Sequence, residues 1–342
     1  MTTELTAAGA YIFAGGSTIG VEHHFKVLAH LEDRPPYGGK TFRLNRPWIP
    51  IYAGHDRWSA AGLSPLDYLY ANPPCAIVSV AGRSVRNGPD SWRTDERTHC
   101  IYRSFAEFRR VKPKFFSLES VCQLYTRARP LVDDMEAQAL ADGYSVTHLF
   151  INAKWHGIPQ DRKRYFFTAH KQDFSPATPN YAPPTTVREV LSEVEEPGFV
   201  HPSTKRWTPL FKKLKQGEGL RGRWEQENPP ETWQLNPQGG VIGRPRQMEH
   251  RIWMDRPMGV FIGDFFVHPT KARRLGLEEA KALCGFPADW EFSNPAQGFS
   301  ELARGVMPPV AEWLARGAAE SCRHGQPLRK PTSRVLDLRS EQ

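Results

Sequence analysis

Two stretches, Val146-Thr-His-Leu-Phe-Ile-Asn152 and Arg164-Tyr-Phe-Phe-Thr-Ala169, decide the fold of this chain. Both are rich in β-branched and aromatic residues, and the loop between them holds Gly157 and Pro159. That pattern predicts an antiparallel strand pair. Upstream, apolar runs alternate with helical patterns. Ala10–Ala14 ends at Gly15 and Gly16, Val27–Leu31 ends at Glu32 and Asp33, and Tyr68–Ala71 runs into Pro73-Pro74-Cys75. Ser104–Val111 reads as a helix, Lys114–Leu118 as a strand ending at Glu119, and Leu131–Asp142 as a helix stopped by Gly143. Alternation closed by a hairpin predicts an α/β fold, an open, doubly wound Rossmann-like sheet.

The rest of the composition sets bounds. The 342 residues suffice for two domains, at roughly 100–200 residues each. With 39% hydrophobic and 24% charged residues, the chain can bury a real core, which argues against wholesale disorder. No run approaches the ~18 apolar residues of a membrane span, so no membrane partner is expected. The N-terminus lacks the basic start and apolar run of a secretory signal. Five scattered cysteines (Cys75, Cys100, Cys122, Cys284, Cys322) form no CxxC pair. That excludes a zinc ribbon or disulfide framework, leaves no metal expected, and fits a reducing cytoplasm.

The texture changes from roughly Asp173 to Pro269, where Pro and Gly are frequent and basic and aromatic residues interleave. Between His201 and Val260 there are 11 Lys/Arg against 6 Asp/Glu, so this window carries +5 of the chain's net +8. Trp207, Trp224, Trp233 and Trp253 lie in it too. Such a surface suits nucleic acid, and equally a solvated face over core tryptophans. Helical texture returns at Leu277–Cys284 and Val310–Ala319. The expected division is a catalytic and donor-binding domain of residues 1–172 plus 295–325, a smaller irregular domain of 173–294, and a flexible tail of 326–342.

Four positions carry chemistry. Cys75, behind two prolines after a strand, sits at the carboxyl edge of the sheet, where doubly wound folds bind ligands. It could be a nucleophile or a buried structural thiol. Glu119 follows another strand and should open onto the same crevice. It could cap a helix, stay protonated, or hydrogen-bond a substrate ring nitrogen. Arg162 and Arg164, two apart at a strand start, point the same way and could grip a phosphate or carbonyl, or form a solvated basic turn. Phe13-Ala-Gly15-Gly16-Ser-Thr-Ile-Gly20 lets the backbone approach a ligand, and Glu32 stands where an acid would bind ribose hydroxyls.

In their order these pieces resemble the cytosine carbon-5 DNA methyltransferases. Phe13-Ala-Gly15 is similar to that family's donor-binding loop, Pro73-Pro74-Cys75 to its nucleophile loop, and Glu119-Ser-Val to its Glu-Asn-Val. Gly157-Ile-Pro-Gln-Asp-Arg-Lys-Arg164 resembles its Pro-Gln-x-Arg-x-Arg. His268-Pro-Thr-Lys-Ala-Arg-Arg-Leu, with Glu278-Glu-Ala and Cys284-Gly-Phe-Pro, resembles the motif after its target-recognition domain. Gln297-Gly-Phe with Ala303-Arg-Gly-Val-Met-Pro-Pro-Val310 resembles its last motif. The resemblance spans residues 11–315.

The resemblance implies an S-adenosylmethionine-dependent enzyme acting as a monomer on double-stranded DNA, in the cytoplasm of a bacterium or phage-infected cell. It implies catalytic roles for Cys75, Glu119, Arg162 and Arg164 on a cytosine flipped from the helix. Donor contacts would come from Phe13, Ala14, Gly15, Gly16, Ser17, Thr18, Ile19, Glu32, Asp33, Asn72, Pro73, Arg304, Gly305 and Val306. Residues 173–294 would be the target-recognition domain, with DNA contacts from Gln160, Lys205, Arg206, Arg221, Arg223, Arg244 and Arg246.

Three departures stand out. The glycine loop is about two residues shorter than the family's form, Ser120 replaces an Asn, and Arg304 falls on the family's Asn near the donor. A guanidinium repels a sulfonium, whereas a carboxylate on the transferred carbon would pair with it. Arg304 therefore raises carboxy-S-adenosylmethionine as a second candidate donor, with 5-carboxymethylcytosine as product. The same motifs would also suit a non-catalytic DNA-binding relative, or a tRNA methyltransferase built on this fold.

Overall fold

The computed structural model describes residues 4–11, 13–33, 37–75, 78, 90–181, 183–202, 204–238, 241, 245 and 249–340. Arg244 and Arg246 lie outside the described residues. The chain begins with β1 (Thr6–Ala10), α1 (Gly16–Val21), β2 (Lys26–Glu32), α2 (Gly39–Asn45), β3 (Ile51–Ala53) and β4 (Tyr68–Ala71). There follow α3 (Thr98–Val111), β5 (Phe115–Ser120), α4 (Gln123–Arg127), α5 (Arg129–Ala141), β6 (Ser145–Asn152) and β7 (Lys163–His170).

Eight strands form one sheet in the order β10-β6-β7-β5-β4-β1-β2-β3, where β10 is Ser333–Leu338. β7 is antiparallel to both β5 and β6, and the remaining pairs in this sheet are parallel. This is the expected doubly wound sheet with its closing hairpin. The order reverses between β1 and β4, which places the crevice of the fold at the carboxyl ends of those strands.

Both faces are covered, so the strands read as nearly continuous apolar runs. One face packs on α3 and α5. Ile101, Phe105 and Phe108 recur at helical spacing along α3, and Leu131, Val132, Met135 and Ala139 along α5; all are buried. Lys112 and Gly143, with φ of 54° and 84°, turn the chain out of these helices into β5 and β6. The other face packs on α1 and on α11 (Pro308–His324). Gly20 makes that contact possible, because a Cβ there would lie 2.3 Å from the Glu312 nitrogen. Under α1, Thr18 Oγ1 is bonded to Tyr70 Oη at 2.8 Å and to His30 Nε2 at 3.1 Å; burial holds His30 neutral.

The irregular region holds α6 (Val187–Ser192), α7 (Thr204–Phe211), α8 (Leu220–Glu227) and the short parallel strands β8 (His250–Arg251) and β9 (Phe266–Val267). Its own core is small: Phe211, Leu214, Leu220 and Val267. Buried Arg251 compensates by donating to the carbonyls of Phe211, His268 and Lys271. α9 (Leu277–Leu283) and α10 (Pro295–Arg304) complete the chain.

One expected boundary needs correction. Leu275, Leu277, Leu283, Phe286 and Trp290 share one core with Ala14, Ile19 and Phe42, and equally with Ile252, Met258, Phe261 and Phe266 of the irregular region, so packing is continuous between the two expected units. The segment expected as a flexible tail, 326–342, is not free over its described part. β10 pairs in parallel with β6 from Ser333↔Val146 to Leu338↔Ile151, supplying an eighth strand. Among the described residues no helix is long and apolar enough to cross a membrane.

Candidate active site

Cys75, Glu119, Arg162 and Arg164, far apart in sequence, line one open cavity of about 730 Å³ at the carboxyl edge of the sheet. Cys75 comes three residues after Asn72, whose backbone still pairs with the Ala10 carbonyl of β1 at 2.9 Å. Its thiol is half-buried, and its pKa is raised, first by burial and then by the Glu119 carboxylate, with Arg164 and Arg162 opposing. At rest Cys75 is therefore held as the thiol.

Glu119, on β5, is buried. Asn72 Nδ2 donates to its Oε2 at 2.5 Å, and Arg164 Nε lies 2.8 Å from its Oε1. The ladder explains the second contact. β5 and β7 pair with Glu119 opposite Phe166, so Arg164, two residues from Phe166, is its diagonal neighbour on the same face. Burial raises the Glu119 pKa while both arginines pull it down. A carboxyl so placed can accept from an amine or hold a proton for a ring nitrogen.

The two arginines differ in use. Arg164 is directed at Glu119. Arg162 is wholly buried, and its guanidinium donates to the carbonyls of Phe261 (3.3 Å), Ala303 (3.1 Å) and Gly305 (3.1 Å). Burial lowers its pKa to about 9. Asn152 Oδ1 accepts from its backbone N–H at 3.0 Å and so fixes the hairpin loop. Arg162 thus faces the cavity while bracing the irregular region against the segment after α10.

Gln160 corrects an expectation. It is fully buried, its Nε2 donates to the Leu283 carbonyl at 2.7 Å, and its Oε1 accepts from the Phe261 N–H at 3.1 Å. With both ends engaged on backbone it is a strut rather than a DNA contact. Of the remaining expected DNA contacts, Lys205 and Arg206 are exposed, with Arg206 stacked 4.7 Å above Trp207. Arg221 and Arg223 are half-buried and already paired, with Glu225 at 3.2 Å and Glu218 at 2.8 Å.

The loop from Phe13 to Gly16 joins β1 to α1. Phe13 and Gly15 adopt left-handed backbone, with φ of 50° and 90°. A Cβ on Gly16 would lie 2.2 Å from the Val306 carbonyl oxygen, so only glycine lets the last motif close on this loop. Ala14, Ser17, Thr18 and Ile19 are buried in the same turn and helix, and Val306 packs against it, with Gly305 buried just before. Glu32 is buried at the end of β2, and Asp33 follows it, 2.9 Å from Arg103 Nη1. Pro73 is buried beside Asn72, whose Oδ1 is buried with no protein partner among the described residues. Carboxylates at a strand end, a tight glycine turn and an orphaned acceptor fit a nucleoside-bearing donor.

Arg304 ends α10. It is exposed, lines the cavity with Cys75, and stacks its guanidinium 4.3 Å above the Tyr37 ring. Tyr37 in turn meets Phe13 edge-on at 5.5 Å. Sequence reading missed Tyr37, the bracing role of Arg162, and Arg339, which also lines the cavity. Tyr37, before Gly38-Gly39, and the apolar Val335-Leu336 before Asp337-Leu338-Arg339 were the available signals.

A class I methyltransferase fold with a cysteine, a glutamate and two arginines at its crevice defines the class of protein. The family assignment follows from residues 12–319, which match the model of the C-5 cytosine-specific DNA methylases; the chain belongs to that S-adenosylmethionine-dependent family. It is 25% identical over 341 residues to the type II methyltransferase M1.HphI of Haemophilus parahaemolyticus, covering 93% of this chain and 86% of the relative. It is 26% identical over 370 residues to M.DdeI of Desulfomicrobium norvegicum, covering 89% and 86%. Its fold is shared with an E. coli prophage-encoded protein inferred to be a DNA modification methyltransferase, with a TM-score of 0.65, 18% identity, and 93% and 99% of the two chains covered.

Proposed function

We propose that the chain modifies carbon-5 of cytosine in double-stranded DNA through a transient bond between Cys75 and the base. The observation that carries this reading is the convergence of Cys75, Glu119 and Arg164 on one cavity, with Arg164 2.8 Å from Glu119. Stacking hides carbon-6 in a duplex, so the target nucleotide must swing out to reach this cavity. Cys75 Sγ, once deprotonated, bonds to carbon-6 and makes carbon-5 electron-rich. Glu119 holds N3 and the exocyclic amine and offsets the charge that develops there. Arg164 keeps Glu119 in place and, with Arg162, supplies the positive field that favours the thiolate. S-adenosylmethionine, when bound, supplies an electrophilic methyl group on a sulfonium. The Phe13–Ile19 turn, Glu32, Asp33, Asn72, Pro73 and the Gly305-Val306 segment would hold it. Loss of the carbon-5 proton and departure of Cys75 then restore the aromatic ring.

The exposed Lys205 and Arg206 support duplex contact by the irregular region, through phosphate charge. Incubating the protein with labelled donor and either duplex DNA or tRNA tests the substrate. Label in DNA cytosine, together with a denaturant-resistant adduct on 5-fluorocytosine DNA that Cys75→Ser abolishes, is the expected result. Label in tRNA alone, or duplex binding without adduct, overturns it.

Arg304 favours a second reading, transfer of a carboxymethyl group from carboxy-S-adenosylmethionine. A guanidinium stacked on Tyr37, between the Phe13 loop and the Cys75 cavity, suits a carboxylate on the transferred carbon. Mass spectrometry of cytosine after reaction with each donor decides. A carboxymethyl mass increment, lost in Arg304→Asn, supports it; methyl product alone, with donor preference unchanged in that variant, removes it.

A further inference from the structure

We propose that Arg339, just past the end of the β10 strand that lies beyond the family match, is a DNA phosphate contact at the mouth of the active-site cavity. The inference rests on the duplex-DNA reading above, and it concerns residues outside 12–319.

Register places it there. β10 runs parallel to β6, so its carboxyl end emerges at the same sheet edge as Cys75 and Glu119. Leu338 pairs with Ile151, and Ile151 pairs on its other side with Arg164. One residue further on, Arg339 follows Leu338, and Asn152 pairs with Lys163. Arg339 and Lys163 therefore flank Asn152 two strands apart, about 10 Å between backbones at the usual strand spacing. Both line the cavity, as does Arg164.

Arg339 is held as a recognition group is held. Its carbonyl accepts from Trp155 Nε1 at 2.8 Å, its backbone N–H donates to Asp337 Oδ1 at 3.1 Å, and its guanidinium lies 4.9 Å over Phe150. Asp337 accepts from Nε at 2.8 Å and also from Nη2, and Cys122 lines the same cavity. The Asp337 pair is about 40% exposed on both sides. Ion pairs this exposed are weak, so a phosphate can share or displace Asp337. The bidentate geometry that suits a carboxylate suits a phosphate as well. A nucleotide rotated out toward Cys75 carries its phosphate past this rim.

The test measures affinity for a duplex against salt concentration for the full chain, Arg339→Gln, Arg339→Lys and Asp337→Asn, with thermal unfolding of each. Losing one phosphate contact lowers the slope of log K against log salt by about 0.9. Arg339→Gln is expected to show that loss equally on target and non-target duplexes. Arg339→Lys should keep most of the slope, because the charge remains, and Asp337→Asn should bind more tightly. An unchanged slope in Arg339→Gln, beside a salt-dependent full chain, overturns the role of Arg339 and leaves the duplex-DNA reading standing. A full chain that neither binds nor modifies duplex DNA overturns both. Equal slope losses in the Lys and Gln variants, with lowered unfolding temperatures, would mean that Arg339 merely secures β10.

Discussion

Arg162 Nη2 donates to the Gly305 carbonyl at 3.1 Å, so the β6–β7 hairpin directly holds the segment that closes on the donor loop. The same guanidinium reaches Phe261 and Ala303. Replacing it by Ala leaves three carbonyls without their donor, and an unsatisfied buried group costs ~1–3 kcal/mol. Arg162→Ala is expected to lose about 3–5 kcal/mol in denaturant unfolding, from such costs summed with partial relaxation. Arg162→Lys should recover little of it, since an ammonium cannot span three acceptors in a fork. A loss below about 1 kcal/mol in the Ala variant, the cost of a single such group, would refute the bracing role.

Glu119 is predicted to act on the base without anchoring the fold. Glu119→Gln keeps the side chain's shape and should lower the transfer rate by ~10²–10⁴-fold, the usual range for a lost acid–base group. Duplex affinity should stay within a few-fold. Single-turnover transfer compared with binding separates the two, and an equal fall in both would place Glu119 in binding alone.

Cys75 should react slowly with alkylating agents at neutral pH. Burial and the nearby carboxylate raise its folded pKa above the ordinary 9, so its thiolate fraction, and its rate with iodoacetamide, should keep rising with pH past that value. Peptide mass spectrometry follows Cys75 separately from Cys122. A rate that levels off near neutral pH would mean a thiolate already formed at rest.

Gly20 pits propensity against packing. Ala in place of Gly inside a helix gains ~1 kcal/mol. Here the added Cβ would lie 2.3 Å from the Glu312 nitrogen and 2.5 Å from the Pro308 oxygen, both backbone atoms that cannot rotate away. Overpacking of this kind costs ~1–3 kcal/mol or more, so Gly20→Ala is expected to be net destabilising. Equal or higher stability in chemical unfolding would show that α1 and α11 can move apart.

Much of this was legible from sequence because α/β layers write their period plainly. Tyr68–Ala71 is a strand with those bounds, and the hairpin at 146–169 pairs as its pattern implied. That Cys75, Glu119, Arg162 and Arg164 would meet at one sheet edge was legible because each lies at or just beyond a strand end there. What stayed hidden depends on contacts between distant segments. Nothing local distinguishes Gln160, engaged on Leu283 and Phe261, from a polar residue facing DNA. β10 is short and its flanks are polar, so only its partner β6 makes it a strand.

The diagonal placement of Arg164 beside Glu119 has a bearing on how this chain tolerates length changes. The ladder between β5 and β7, rather than the connection joining β6 to β7, sets which side chains meet. Adding a residue within Ala153–Gln160 leaves that meeting intact. Inserting one between Arg164 and Phe166 rotates the arginine to the opposite surface of the sheet and strands a carboxylate in the interior. A length change in the first interval should thus spare this pairing while disturbing the Gln160 strut, and one in the second should be lethal to turnover.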